Sequence, residues 1–158
     1  MTKRLAAWGV MLTIAVLACS GLSEGAGDGH MTLKADDVKW ADAPPVLPAG
    51  SKIAWLQGDG ADAKPFAFRV KLPANSKIAP HFHSAAEHVT VLSGTFNLGV
   101  GEKFDMEATK PLPAGSFAVL QPKTPHFVSI KEETVVQVHG VGPWTLTFVN
   151  PADDPRKK

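Results

Sequence analysis

The sequence predicts an all-β chain folded as one barrel-like domain, and three observations carry that prediction. Short apolar segments recur about every ten residues from position 52 onward. The 14 glycines and 13 prolines of the 158 residues are scattered between these segments as turn punctuation. No heptad and no long helical period interrupts the series. Once the first two dozen residues are set aside, the remaining length suits a single core.

In chain order, residues 52–57 alternate as the first strand and are closed by Gly58 with Gly60. Residues 66–72 form the second, ended by the break at 73–75, and 78–83 form the third. Residues 87–92 and 95–100 flank Ser93 and Gly94, which read as a tight connection. The stretch 105–110 fits either a single helical turn or a loop insertion. Beyond the break at 113–115, residues 117–121 make the next strand, and the break at 122–125 leads into 127–130. Residues 134–139 and 144–149 complete the set on either side of the break at 140–143. Upstream, 31–33 and 38–40 hint at short strands in a polar arm. The expected organisation is therefore a signal or lipoprotein signal with a short leader at 1–26, an N-terminal arm at 27–50, the barrel at 51–151 and a polar tail at 152–158.

Lys3 and Arg4 precede 14 apolar or small residues, 5–18, and then a small polar run. Basic start, apolar middle and small-residue exit define a secretory signal, and the apolar stretch falls short of the roughly 20 residues that span a bilayer. The expected location is outside the cytoplasm, periplasmic or secreted. Cys19, the only cysteine, follows Val16, Leu17 and Ala18, an arrangement that resembles a bacterial lipoprotein box. Lipidation of Cys19 and its removal with the signal are equal alternatives. Either way the folded domain has no thiol, so cysteine nucleophiles, thiolate ligands and intrachain disulfides are excluded. The 16 basic and 15 acidic residues nearly balance, which gives no field to attract nucleic acid; membrane contact is expected only through the signal or a lipid.

Six histidines stand out: His30, His81, His83, His88, His126 and His139. On a strand, residues two apart share a face, so His81 and His83 project together while Phe82 points away. The small residues 84–86 let the chain turn and return Glu87 beside them. His126, behind Pro125 and Pro122, begins a later strand and is the natural fourth ligand. Three imidazoles and a carboxylate form a mixed nitrogen and oxygen site with positions left open. His88 faces away from Glu87 on its strand. Gln137 and His139 share one face of a late strand; they either line the barrel as catalytic candidates or form a polar outer face. His30 lies in the exposed arm. No phosphate loop, serine elbow or basic aromatic patch is present.

These two segments resemble the paired motifs of the cupin superfamily. The first motif runs Gly, five residues, His-x-His, three or four residues, Glu, six residues, Gly. It is matched by His81, His83, Glu87 and Gly94, with Asn75 where the leading glycine stands. Asn tolerates the left-handed backbone that glycine supplies. The second motif runs Gly, five residues, Pro-x-Gly, two residues, His, and is matched in spacing by Gly115 and His126, with Gln121 and Lys123 replacing Pro and Gly. The resemblance covers about 52–149. It implies a double-stranded β-helix, or jelly roll, holding one divalent metal ion (manganese, iron, nickel, copper or zinc) on His81, His83, Glu87 and His126. It further implies a small-molecule ligand and a homodimer.

Three functions are compatible with such a site. The first is an enzyme on a small oxygenated organic molecule, a dioxygenase, isomerase or lyase; the second is a non-catalytic binding or sensing module; the third is a jelly roll whose metal only fastens strands. Open coordination positions favour the first two, since structural ions are fully enclosed, and the reading leans to an enzyme.

Overall fold

A computed structural model describes residues 29–157. The chain divides into two compact units, Met1–Thr32 and Leu33–Lys158. The described part of the first, residues 29–32, has no regular structure, and the fold below belongs to the second. The signal segment read over 1–26, with Cys19, lies outside the described residues.

Eleven strands form the unit: β1 (Ala41–Asp42), β2 (Lys52–Gln57), β3 (Pro65–Leu72), β4 (Ser76–His83), β5 (Glu87–Ser93), β6 (Thr95–Val100), β7 (Lys110–Pro113), β8 (Phe117–Leu120), β9 (His126–Ile130), β10 (Thr134–Val141) and β11 (Leu146–Phe148). They build two antiparallel sheets, ordered β1-β2-β3-β10-β5-β8 and β11-β4-β9-β6-β7. Short 3-10 turns supply the only helical residues described, and none of the described helices is long and apolar enough to cross a membrane. The fold is all-β, a jelly roll of two packed sheets.

Period-two alternation explains why these segments pair face to face. In β3, Phe66, Phe68, Val70 and Leu72 are buried while Ala67, Arg69 and Lys71 take the other face. In β10 the buried set is Thr134, Val136 and Val138, and in β5 it is Glu87, Val89 and Val91. These inner faces meet Ile78, Phe96, Val128, Ile130 and Phe148 in one continuous core. Burial of that apolar surface, at roughly 25 cal/mol per Å², is the main force closing the barrel.

The nine barrel strands expected from the sequence are present, with ends shifted by at most two residues except at β11, which is shorter. Two strands escaped the reading. Residues 110–113 carry two prolines and read as a break, yet β7 pairs with β6 in the register Thr95 to Pro113 and Asn97 to Pro111. As an edge strand it pairs on one side only, so a proline without an N–H is tolerated. In the arm, residues 31–33 and 38–40 are not strands; the pairing residues are Ala41 and Asp42, against Ile53 and Lys52. The stretch before β7 is a turn, in which Asp105 accepts from the backbone N–H groups of Ala108 and, through Oδ1, of Glu107.

Outside the inner face, β9 is covered too, since all five of its residues are buried. Phe127 lies over Gly99 of β6, to which it is paired, and beneath Phe104, whose ring centroid is 5.2 Å away. A β-carbon at position 99 meets the Phe127 ring directly. Gly99→Ala is therefore expected to overpack this layer and cost about 1–3 kcal/mol. A lower urea midpoint at unchanged m-value checks it, and an unchanged midpoint contradicts it.

Candidate metal centre

A backbone irregularity aims the histidines inward. Ile78 pairs with Val128 and His81 with His126, so three steps along β4 match two along β9. The extra residue is a bulge at Ala79 and Pro80, a place where a strand tolerates proline. Before the bulge the even-numbered Ile78 faces the core; after it the odd-numbered His81 and His83 do, with 3% and 2% exposure. Phe82 takes the opposite face, half-buried. His126 starts β9 directly across from His81 and is 1% exposed.

Glu87 reaches the same spot from the other sheet. The turn at 84–86 carries the chain from β4 to β5, and Ser84 fixes it by donating to the Pro143 carbonyl at 3.0 Å and accepting from Thr145 N–H at 2.9 Å. The site thus ties the two sheets together at β4, β9 and β5. The loop before β9 is tied to β4 by Lys123 N–H, which donates to the His83 carbonyl at 2.8 Å.

Each imidazole is held through its Nδ1. His81 donates to the Ala79 carbonyl at 2.7 Å, His83 to the Thr145 carbonyl at 3.0 Å and His126 to the Thr124 carbonyl at 2.9 Å. A carbonyl only accepts, so Nδ1 carries the proton and Nε2 keeps its lone pair for another partner. Ring centroids are 4.1 Å apart for His81 and His126, and 5.1 Å for His83 with either of the others. The three ligand atoms lie within 4.8 Å of one another, so these three buried histidines can hold a metal ion.

Glu87 stands against two of them, its Oε2 3.4 Å from His83 Nε2 and 3.5 Å from His126 Nε2. His83 Nε2 is nevertheless buried without a hydrogen bond, because the contact lacks the alignment of one. A buried nitrogen with a free lone pair, beside two others and a carboxylate, is the donor set a divalent transition ion takes. The electrostatics agree. Burial of Glu87 opposes its charge, but the imidazoles of His126 and His83 outweigh that and hold its carboxyl well below the ordinary range. Burial above all, then the neighbouring His126 and His83, push His81 down to about 3, so it stays neutral as a ligand must.

Around this polar point lies a cavity of about 140 Å³. Apart from His81, His83, Glu87 and His126, every residue lining it has a hydrocarbon or aromatic side chain, including Phe68, Phe96, Val136, Val138 and Trp144. The Trp144 ring stacks on His83 with centroids 4.2 Å apart and planes 14° from parallel.

The catalytic candidates Gln137 and His139 require a correction. Val136 and Val138 line the cavity, so the alternating Gln137 and His139 take the outer face. There Gln137 Oε1 accepts from Arg69 Nε at 3.1 Å, and His139 stacks on His88 with centroids 4.9 Å apart. Burial first, and then the charge of His88, lower the His139 pKa. His30 is exposed and outside the barrel strands. The sequence reading missed the anchoring by Ser84 and Thr145 and the stack of Trp144 on His83. The small residue between His83 and Glu87 was a visible signal for the first; the others join positions some sixty residues apart, which a single sequence does not reveal.

The second motif holds a left-handed residue where its glycine would stand: Lys123 has φ of 62°, and Asn75, in the first, 58°. Asn bears that conformation at little cost, whereas Lys pays for its β-carbon. Lys123→Gly is expected to raise stability by roughly 0.5–1 kcal/mol, after the entropy glycine adds to the unfolded chain. A higher urea midpoint checks this.

A jelly roll with two sheets and three inward histidines beside a glutamate defines a cupin. The chain belongs to the family described as "Domain of unknown function (DUF4437)", which matches residues 28–146. No curated protein matches the chain. Among solved structures the chain is similar to the polyketide cyclase RemF from Streptomyces resistomycificus, at 19% identity over 81% of this chain and 91% of that one, with a TM-score of 0.65. It is also similar to an RmlC-like cupin from Shewanella frigidimarina NCIMB 400, at 15% identity over 70% and 88%, TM-score 0.55. A third is a salicylate 1,2-dioxygenase from Pseudaminobacter salicylatoxidans, at 13% identity over 66% of this chain and 32% of that one, TM-score 0.54. At these identities the likeness establishes the fold.

Proposed function

We propose that this cupin is a metal-dependent protein acting on a small oxygenated organic molecule, with one divalent ion held by His81, His83, His126 and Glu87. The observation that carries the reading is the convergence of three buried imidazoles, each fixed through Nδ1, on a point where His83 Nε2 has no protein partner. An ion bound there supplies a Lewis acid with positions open to substrate oxygens and, if redox-active, to dioxygen. The carbonyls of Ala79, Thr145 and Thr124 orient the ligands before any ion arrives, Glu87 contributes the negative charge, and the apolar wall excludes water.

Dioxygenase chemistry is the form of this reading the cavity favours. An isomerase or lyase needs a group to move protons, and no acid or base lines the cavity beyond the four proposed ligands. The similar salicylate 1,2-dioxygenase, whose structures include adducts with gentisate, lends support to a small oxygenated substrate. The same scarcity of proton-transfer groups supports the second reading, a metal-dependent binding or sensing module.

To test the proposal, protein freed of metal is loaded in turn with manganese, iron, nickel, copper or zinc. Oxygen uptake is then followed with small diketones, catechols and sugars. Uptake with a redox-active ion and none with zinc supports the enzyme; saturable binding without product supports the module; neither uptake nor binding counts against both. Export, with a lipid on Cys19 as the alternative to its removal, belongs to the same proposal and rests on the pattern of residues 1–26. Fractionation of cells expressing the full chain tests it, and sedimentation tests the proposed homodimer.

A further inference from the structure

We propose that the cavity takes a small bidentate oxygen chelator with a hydrocarbon body, a β-diketone or catechol rather than a sugar, and that the Trp144 indole N–H donates to one of its oxygens. The inference rests on the metal reading above and narrows it to a ligand class and a specificity residue.

Size sets the first limit. A cavity of about 140 Å³ is close to the roughly 150 Å³ that accommodates one benzene ring. The wall sets the second. Outside the proposed ligands, its only polar side-chain atoms are the indole nitrogens of Trp55 and Trp144. A sugar would bring several hydroxyls against hydrocarbon, and each one stripped of water without a partner weakens binding by about tenfold. A chelator with two oxygens on the ion leaves only apolar surface for Phe68, Val136 and Val138 to cover.

Trp144 then has a particular place. Its ring is fixed by the stack on His83 and by tilted contacts with Phe66 and Phe68, centroids 5.6 and 5.7 Å away. Its backbone N–H donates to the Gly60 carbonyl at 2.8 Å. Yet its indole Nε1 is buried with no hydrogen-bond partner. Buried indole N–H groups are ordinarily paired, and an orphan on the wall of a cavity, next to a proposed ligand ring, is paired when a ligand oxygen enters. Trp55, the other indole, is 45% exposed and so has water at hand.

The test uses the full chain loaded with zinc, which binds chelators without oxidising them. Acetylacetone, catechol and glucose are titrated calorimetrically into wild type, metal-free wild type and Trp144→Phe, with zinc content measured for each. The expected result is saturable binding of acetylacetone or catechol by the zinc form alone, none of glucose, and a tenfold loss of affinity in Trp144→Phe at equal zinc content. In the unmutated protein the same donor is read as a downfield move of the Trp144 indole N–H resonance on adding acetylacetone, which holds even if the variant does not fold. Equal affinity in Trp144→Phe, or an unmoved resonance at saturation, overturns the donor role. Glucose binding as tightly as the chelators, or no chelator binding to a fully zinc-loaded wild type, overturns the ligand class. A wild type that takes up no zinc overturns the metal reading itself, a result distinct from both.

Discussion

Joint replacement of His81 and His83 by alanine is expected to reduce bound divalent metal from about one ion per chain to background. The two side chains supply two of three nitrogens that lie within 4.8 Å of one another, and they share the strand whose bulge aims both at the centre. With them gone, only His126 and Glu87 remain. Loss of a single partner supporting a ligand already costs 10–100-fold in affinity, so loss of two ligands is expected to exceed a hundredfold. Elemental analysis after dialysis reads the stoichiometry, and far-ultraviolet circular dichroism separates loss of metal from loss of fold. Metal content unchanged in the double variant would sink the ligand assignment. Gln137→Ala with His139→Ala is the matched control: these residues stand on the outer face of β10, and metal content is expected to stay at the wild-type level.

The contrast between those two pairs shows what the sequence could and could not display. Two-residue spacing placed His81 with His83, and Gln137 with His139, on common faces, and the strands bear that out. Which face turns inward was legible only where hydrophobicity decides it: Val136 and Val138 outbid the polar pair for the core. In β4 the rule reverses midway, because the bulge at Ala79 and Pro80 lets Ile78 and then His81 both face inward. A bulge is a pairing irregularity, set by the partner strand as much as by its own residues, and so is invisible along one segment. The same holds for β7, whose prolines read as a break until β6 supplies an edge to pair with. Trp144 was visible as a large apolar residue. Its stack on His83 comes from the closure of the barrel, which brings β11 beside β4.

Acidification of the metal-free protein is expected to destabilise it from about pH 6.5 downward, more steeply below about 4.5. The cause lies first in His81. Its burial, reinforced by His126 and His83 and opposed by the Ala79 carbonyl and Glu87, lowers its pKa from 6.5 to about 3. In the unfolded chain the same imidazole takes a proton near 6.5. Between those values the unfolded state therefore binds one proton more than the native state, so stability rises with pH across the window and is lost as pH falls through it. The slope for one proton is about 1.4 kcal/mol per pH unit. Glu87 acts with the same sign lower down: its burial is outweighed by His126 and His83, its folded pKa lies below the ordinary 4.5, and the stability it adds above that value is lost beneath it. Two pH units below 6.5 thus cost about 3 kcal/mol, against a total of roughly 5–15 kcal/mol for a domain. Urea unfolding of chelator-treated protein from about pH 7.5 to about 4.5, for wild type and His81→Gln, measures it. The variant is expected to show a slope smaller by about one proton, because the group that must be stripped of its proton on folding is gone. Identical slopes would mean that His81 folds as a protonated or solvated group, which its 3% exposure and its bond to the Ala79 carbonyl argue against. A divalent ion binds only the unprotonated imidazoles, so loading the site is expected to move the acid transition to lower pH, by an amount that grows with the ion's affinity.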